Sequence, residues 1–116
     1  MFSLRQSVIV VATLSISMVN AFTGDATYYY PNGGLGACGT PLQNSDYIVA
    51  LSPDQYVGGA NCGKVIRVSY EGRTVDVIVR DLCPRCGTNG IDLSSYAFQQ
   101  LADLDIGRMQ VTWDYV

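Results

Sequence analysis

The sequence predicts a small, mainly β domain whose strands close into a barrel, with one or two short helices. Several short stretches alternate apolar and polar residues with a period of two, which is typical of strands with one buried face. Residues 64–79 hold two β-branched runs separated by Glu71-Gly72, which suits a two-residue hairpin turn. The 116 residues fit a single domain, and closure of a small sheet removes its exposed edges.

The first predicted strand covers residues 24–30, which are rich in β-forming residues. Ala26 and Tyr28 fall on one face of this strand, whereas Thr27 and Tyr29 fall on the other. With three consecutive tyrosines at positions 28–30, some of these rings must pack inward.

The next part of the chain is predicted to contain a loop, a short strand and the start of a helix. Residues 31–41 are dense in Gly and Pro and predict a loop. Residues 47–51 form a short apolar strand, after which Ser52 as cap and Pro53 at the first helical position predict the start of a helix.

The hairpin and the last strand carry the clearest patterns. The Glu71-Gly72 turn predicts three cross-strand pairs, with the charged pair on the outer face. Residues 109–115 alternate as the final strand, in which Trp113 is expected to belong to the core. The predicted pairs are Val68 with Val75, Ile66 with Val77 and Arg67 with Asp76.

The candidate site lies between the hairpin and the next helix. Asp81 is expected at the end of a strand and Asp92 just ahead of a helix, with the loop between them constrained by Cys83 and Cys86. Two carboxylates brought together by a constrained loop are the first candidate for a functional site. The structural alternatives are helix capping for Asp92 and a loop hydrogen bond to the 83–86 backbone for Asp81.

The helix after Asp92 is expected to begin at a cap formed by Ser94 or Ser95. Its predicted apolar positions are Tyr96, Ala97, Leu101 and Leu104.

The N-terminus indicates secretion. Arg5 precedes a mostly apolar run, and small residues end at Ala21, so residues 1–21 are predicted to be a signal peptide and residues 22–116 the mature domain. The apolar run is too short and too mixed for a good membrane span. The net charge is −3 with no basic patch, so nucleic acid is not an expected partner. No membrane partner is expected either.

An even number of cysteines in a secreted chain predicts disulfides. Three pairings are possible, and we favour Cys38–Cys62 with Cys83–Cys86. The first would close a loop of about 25 residues, worth roughly 3 kcal/mol in the chain-entropy model. A zinc site and a redox-active dithiol are the less favoured alternatives. No cofactor or metal is expected.

Seven fragments along residues 24–116 together resemble a known family. They are G-D-A-T-Y-Y, G-A-C-G, Y-I-V-A-L-S, N-C-G-K, V-x-V-x-D-L-C-P-R-C, G-x-I-D-L-S and V-T-W. In this order they resemble the rare-lipoprotein-A-like double-psi β-barrel domains, which include the first domain of expansins, loosenins and barwin-like proteins. The resemblance implies a closed six-stranded double-psi β-barrel in a secreted, monomeric protein.

In the expansin branch the resemblance also implies roles for particular residues. Asp92 matches the acid that is needed for wall loosening and that acts as general acid in related endoglucanases. Asp81 matches a second acid of the polysaccharide groove, and Thr27 and Tyr29 match groove positions on the first strand. The chain departs from the bacterial pattern at Cys83, where a groove tyrosine is usual, and the 116 residues hold no counterpart of the cellulose-binding second domain of expansins.

These observations lead to three hypotheses. The first is a protein that binds and loosens cell-wall polysaccharide such as cellulose, chitin or peptidoglycan without net hydrolysis. The second is a lytic transglycosylase or endoglucanase that uses the same aspartates. The third is a protein-binding module, such as a cysteine-protease inhibitor or a secreted effector, which would use exposed loops. The absence of histidine means that proton transfer would depend on a carboxyl group of raised pKa.

Overall fold

The structure, a computed structural model, describes residues 21–116. The predicted signal peptide, residues 1–21, lies outside the described residues apart from Ala21. The six strands are β1 (Phe22–Tyr29), β2 (Ile48–Leu51), β3 (Val65–Tyr70), β4 (Arg73–Leu82), β5 (Ile91–Ser94) and β6 (Met109–Tyr115). The helices are α1 (Pro53–Tyr56) and α2 (Ser95–Gln99), and 3-10 turns cover Val57–Gly59 and Leu104–Ile106.

The six strands close into a barrel in the order β1-β5-β2-β4-β3-β6, with β6 pairing back onto β1. Two pairs are parallel, β1 with β5 and β2 with β4, and the remaining pairs are antiparallel. The predicted mainly β, closed six-stranded barrel is therefore confirmed. Closure leaves no strand edge unpaired around the barrel.

The hairpin between β3 and β4 has the predicted register. Val68 pairs with Val75 and Ile66 with Val77, and the outward Arg67–Asp76 pair has a Nε–Oδ1 distance of 2.8 Å. At the turn Glu71 and Gly72 both have positive φ angles, 47° and 82°. Two consecutive positive φ angles are the requirement of the type I′ turn that matches the twist of a β-hairpin.

The interior of the barrel is filled by side chains from every strand and from α2. Trp113 is 1% exposed, which confirms its interpretation as a core residue, and its Nε1 donates a hydrogen bond to the Asn89 carbonyl oxygen at 2.9 Å. On β1, Tyr28 packs against Phe98 with ring centroids 4.9 Å apart. The largest fully buried side chains are Trp113, Phe98, Leu51, Ile66, Ile91, Leu93, Leu101, Val49, Val68, Val77, Val79 and Val111.

Asp92 lies just ahead of helix α2, as predicted, but the structure adds a strand that the sequence did not indicate. The segment just before the helix is strand β5, in which Ile91 and Leu93 are buried and which contains Asp92. A strand of four residues is too short to show a convincing alternation, and it forms because β1 and β2 pair with both of its edges.

The helix that follows is also shorter than predicted. It covers Ser95–Gln99, and the expected apolar position Tyr96 is 48% exposed whereas Phe98 is fully buried. Leu101 is buried beyond the helix end, and Leu104 begins a separate 3-10 turn.

The favoured disulfide pairing is confirmed. Cys38 bonds Cys62 and Cys83 bonds Cys86, with Cα atoms 5.8 and 5.4 Å apart. The zinc alternative is wrong because all four thiols are consumed. Among residues 21–116 no helix has the length and apolar character needed to cross a bilayer.

Candidate functional site

The two aspartates lie on either side of strand β2. Ala50 pairs with Asp81 on β4 and with Asp92 on β5, and Asp92 in turn pairs with Thr27 on β1. Four neighbouring strands therefore carry one row of residues, Thr27–Asp92–Ala50–Asp81. The Cα atoms of Asp81 and Asp92 are two strand spacings apart, a distance of roughly 10 Å.

A β-bulge brings Asp81 onto the outer face. Val77 and Val79 point into the core, so strict alternation along β4 would place residue 81 inside as well. The pairing of β2 with β4 shifts register at this point, because Val49 pairs with Val79 and Ala50 with Asp81, leaving Arg80 as the extra residue. The bulge turns the Asp81 carboxylate out of the barrel, toward Tyr29.

Asp92 is half-buried, and its Oδ1 accepts a hydrogen bond from Thr27 Oγ1 at 2.8 Å. Burial raises the pKa of Asp92, and the negative charge of Asp81 acts in the same direction. The Thr27 hydrogen bond and the charges of Arg108 and Arg85 oppose that shift without cancelling it. Asp92 therefore keeps its proton to a higher pH than an ordinary aspartate, and its Oδ2 has no protein partner in the described part of the chain.

Asp81 is held by three donors. Its Oδ2 accepts from the Tyr29 hydroxyl at 2.8 Å, and its Oδ1 accepts from the backbone N–H groups of Ala37 at 2.8 Å and Leu82 at 2.9 Å. A carboxylate has about four acceptor positions, so most of those on Asp81 are occupied. Asp81 thereby ties the loop before β2 to the end of β4.

Tyr29 connects the first strand to this carboxylate. It starts on β1, and its hydroxyl donates to the Asp81 carboxylate on β4. Burial raises the pKa of Tyr29, and the hydrogen bond and charge of Asp81 raise it further. The hydroxyl therefore remains a donor at any physiological pH.

An open groove of about 730 Å³ runs along the outer face of β1, beside the loop between β4 and β5. Of the four predicted groove residues, Thr27 and Asp92 line it, whereas Asp81 and Tyr29 do not. Asp81 belongs to the same row as Thr27 and Asp92, and Tyr29 is joined to Asp81 by a hydrogen bond. Its lining residues are Thr23, Gly24, Asp25, Thr27, Tyr28, Cys83, Arg85, Cys86, Gly87, Thr88, Gly90, Asp92, Arg108 and Gln110.

Two charged groove residues were not anticipated. Asp25 shares the outer face of β1 with Thr27, so the period of two could have identified it. Arg108 precedes β6, reaches the groove only through the β1–β6 pairing, and contacts Asp25 Oδ2 through its Nη1 at 3.3 Å. No local sequence pattern indicated Arg108.

Both structural alternatives for the aspartates need revision. The helix cap is Ser94, whose Oγ accepts from the Ala97 N–H at 3.3 Å, so the capping interpretation of Asp92 is wrong. Asp81 does make backbone hydrogen bonds, but to Ala37 and Leu82 rather than to the 83–86 loop.

A family model described as lytic transglycolase, a double-psi β-barrel domain, matches residues 21–113. The chain belongs to this family. The family resemblance inferred from the seven sequence fragments is thus confirmed, and with it the double-psi form of the barrel.

Relatives within the family differ in their described functions. The papain inhibitor of Streptomyces mobaraensis is 41% identical over 113 residues, covering 90% of this chain and 78% of that protein. The solved Streptomyces papain inhibitor has a TM-score of 0.71 at 39% identity, covering 84% of this chain and 96% of that one. An EG45-like domain containing protein of Citrus jambhiri is 32% identical, covering 92% of this chain and 94% of that protein.

An expansin is also similar in structure. A Clavibacter michiganensis expansin mutant in complex with cellohexaose has a TM-score of 0.74 at 31% identity, covering 82% of this chain. The chain spans 50% of that expansin's length.

Proposed function

We propose that this protein is secreted and binds cell-wall polysaccharide in the groove beside Asp92, loosening the packing of the chains without net hydrolysis. The observation that carries the proposal is the position of Asp92, a carboxyl group with a raised pKa and a free oxygen on an open groove. The expansin in complex with cellohexaose supports a polysaccharide as the ligand class. The two disulfides support an oxidising, extracellular location.

The hydrogen bonding of the neighbouring acids argues against efficient hydrolysis. Glycoside hydrolysis generally pairs a protonated acid with a free carboxylate that activates water or attacks the sugar. Asp81 is occupied by three donors, and Asp25 is ion-paired with Arg108. The second acid that the sequence predicted for this site, Asp81, is therefore committed to structural hydrogen bonds.

The test is a binding and loosening assay on insoluble cellulose, chitin and peptidoglycan, with reducing ends measured in the supernatant. We expect binding to at least one polymer, with reducing ends at the level of a protein-free blank. Asp92→Asn should abolish loosening, because an amide can still accept from Thr27 but cannot take up or release a proton. Asp76→Asn, on the exposed β3–β4 face, is the matched control and should behave as the parent.

Two outcomes would replace the proposal. Steady release of soluble oligosaccharides that disappears in Asp92→Asn would establish a lytic enzyme. Absence of binding to all three polymers would remove the polysaccharide function altogether.

A second candidate function is inhibition of a papain-like cysteine protease, favoured by the 41% identity to a papain inhibitor. The residues 33–42 form a rigid loop with an exposed apolar side chain, Leu35, which is 74% exposed. Backbone hydrogen bonds close the loop on itself, from Gly33 N–H to the Leu42 carbonyl and from the Leu42 N–H to the Gly34 carbonyl. The Asp81 carboxylate fixes it through Ala37.

A rigid exposed loop suits protease inhibition, because preorganisation reduces the entropy lost on binding. We expect the protein to slow papain cleavage of a small peptide substrate, and Leu35→Ser to weaken inhibition by about tenfold or more, as for an anchor residue of an interface. Val57→Ser, at another exposed apolar position, is the control and should leave inhibition unchanged. Full inhibition by Leu35→Ser, or none by the parent protein, would contradict this function.

A further inference from the structure

Two arginines, Arg85 and Arg108, line the groove together with Asp92. Arg85 comes from the loop between β4 and β5. Arg108 lies one residue before Met109, which pairs with Ala26, so it approaches from the β6 side of β1. Both side chains line the same groove as Asp92, and the charges of both guanidinium groups oppose the rise in the pKa of Asp92.

The two arginines differ in their existing partners. Arg108 makes one contact of 3.3 Å with Asp25, and both side chains are more than half exposed, so the pair is weak and leaves most of its N–H donors free. Between residues 21 and 116 the ion pairs are Arg67–Asp76 and Arg108–Asp25, so Arg85 has no carboxylate partner.

The backbone that carries Arg85 is constrained. Cys83 and Cys86 are joined by a disulfide across a separation of three residues, and the Cys86 N–H donates to the Cys83 carbonyl at 3.2 Å. Both cysteines also line the groove. The guanidinium therefore extends from a fixed support at the groove wall, and its planar set of donors matches a carboxylate in a bidentate arrangement.

We propose that the groove prefers a polysaccharide bearing carboxylate groups, with a sugar carboxylate bound between Arg85 and Arg108 beside Asp92. This inference rests on the polysaccharide-binding function proposed above and names its substrate class. The acids of the groove leave donors of the arginine pair free, because Asp25 contacts Arg108 through a single nitrogen and Asp92 accepts from Thr27 rather than from either arginine. The groove can thus attract an anionic sugar although the whole chain has a net charge of −3.

The test compares two soluble hexasaccharides of equal length, neutral cellohexaose and anionic hexagalacturonate. Calorimetric titration at low ionic strength is carried out on the mature protein and on Arg85→Gln, Arg108→Gln and a control, Arg73→Gln. Arg73 is exposed at the turn end of β4, on no part of the groove. We expect hexagalacturonate to bind about tenfold more tightly than cellohexaose, as one hydrogen-bonded charged contact provides.

Arg85→Gln and Arg108→Gln should each lower the ratio of hexagalacturonate affinity to cellohexaose affinity by about tenfold. Arg73→Gln should alter neither. Equal or tighter binding of cellohexaose by the parent overturns the preference and leaves the proposed function standing. A preference that persists in both groove variants overturns the role of the arginine pair. Failure of the parent to bind either sugar or any polymer overturns the proposed function and this inference together.

Discussion

Removal of the hydrogen bond between Tyr29 and Asp81 should lower the free energy of unfolding by a measurable amount. Tyr29→Phe removes the hydroxyl that donates to Asp81 at 2.8 Å and keeps the aromatic ring. A hydrogen bond to a charged group contributes about 1.5–3 kcal/mol, and partial exposure of both residues moves the expectation to the low end, about 1–2 kcal/mol. Asp81 retains its two backbone donors, so the barrel should remain folded.

Urea denaturation followed by the fluorescence of Trp113, the single tryptophan, measures this loss. With a urea dependence of about 1–1.5 kcal/mol per molar for a domain of this size, the midpoint should fall by about 1 M. The matched control is Tyr30→Phe, because Tyr30 is 52% exposed and its hydroxyl makes no hydrogen bond within the described residues.

A double-mutant cycle with Asp81→Asn assigns the effect to the pair. The cycle should return a coupling free energy of about 1 kcal/mol between Tyr29 and Asp81. Two results would contradict this reasoning: a loss of unfolding free energy in Tyr29→Phe no larger than in Tyr30→Phe, or a coupling free energy of zero. Either would mean that the Tyr29 hydroxyl does not hold the Asp81 carboxylate in place.

Three further predictions concern other parts of the fold. Because the pKa of Asp92 is raised in the folded protein, the free energy of unfolding should fall as pH rises from about 4 through that folded pKa. In a pH series of urea denaturations, Asp92→Asn should remove this dependence on pH. If the parent and Asp92→Asn depend on pH in the same way, the pKa of Asp92 is not raised. Gly24→Ala should cost roughly 1–3 kcal/mol, since its Cβ would collide with a backbone carbonyl oxygen, whereas Gly87→Ala meets open space and should be near neutral by thermal denaturation. Replacing Cys38 and Cys62 together by serine should lower the free energy of unfolding by about 3 kcal/mol in urea, and a loss below about 1 kcal/mol would indicate that the loop is constrained without the bond.

Local patterns predicted the elements whose information lies within a few residues. The β3–β4 hairpin was correct to the residue pair, because two β-branched runs and a Glu71-Gly72 turn determine register by themselves. The assignment of Thr27 and Tyr29 to one face of β1 follows equally from a period of two. The burial of Trp113 needed only its place in an alternating strand.

The arrangement of the site depended on contacts between distant segments. Strand β5 exists because β1 and β2 pair with it, and four residues carry too little periodicity to reveal it. Asp81 faces outward only because a bulge at Arg80 reverses the alternation of β4, and a bulge depends on the partner strand.

The charges around Asp92 also depend on contacts between distant segments, and Arg108 is an example. It is sixteen positions from Asp92 in sequence and reaches the groove through the pairing of β6 with β1. The sequence by itself therefore determined the fold class, the hairpin, the disulfide-rich character and the two aspartates as candidates. The tertiary structure alone decided which oxygens of those aspartates are occupied and which charges surround them, because barrel closure joins strands that are remote in the chain.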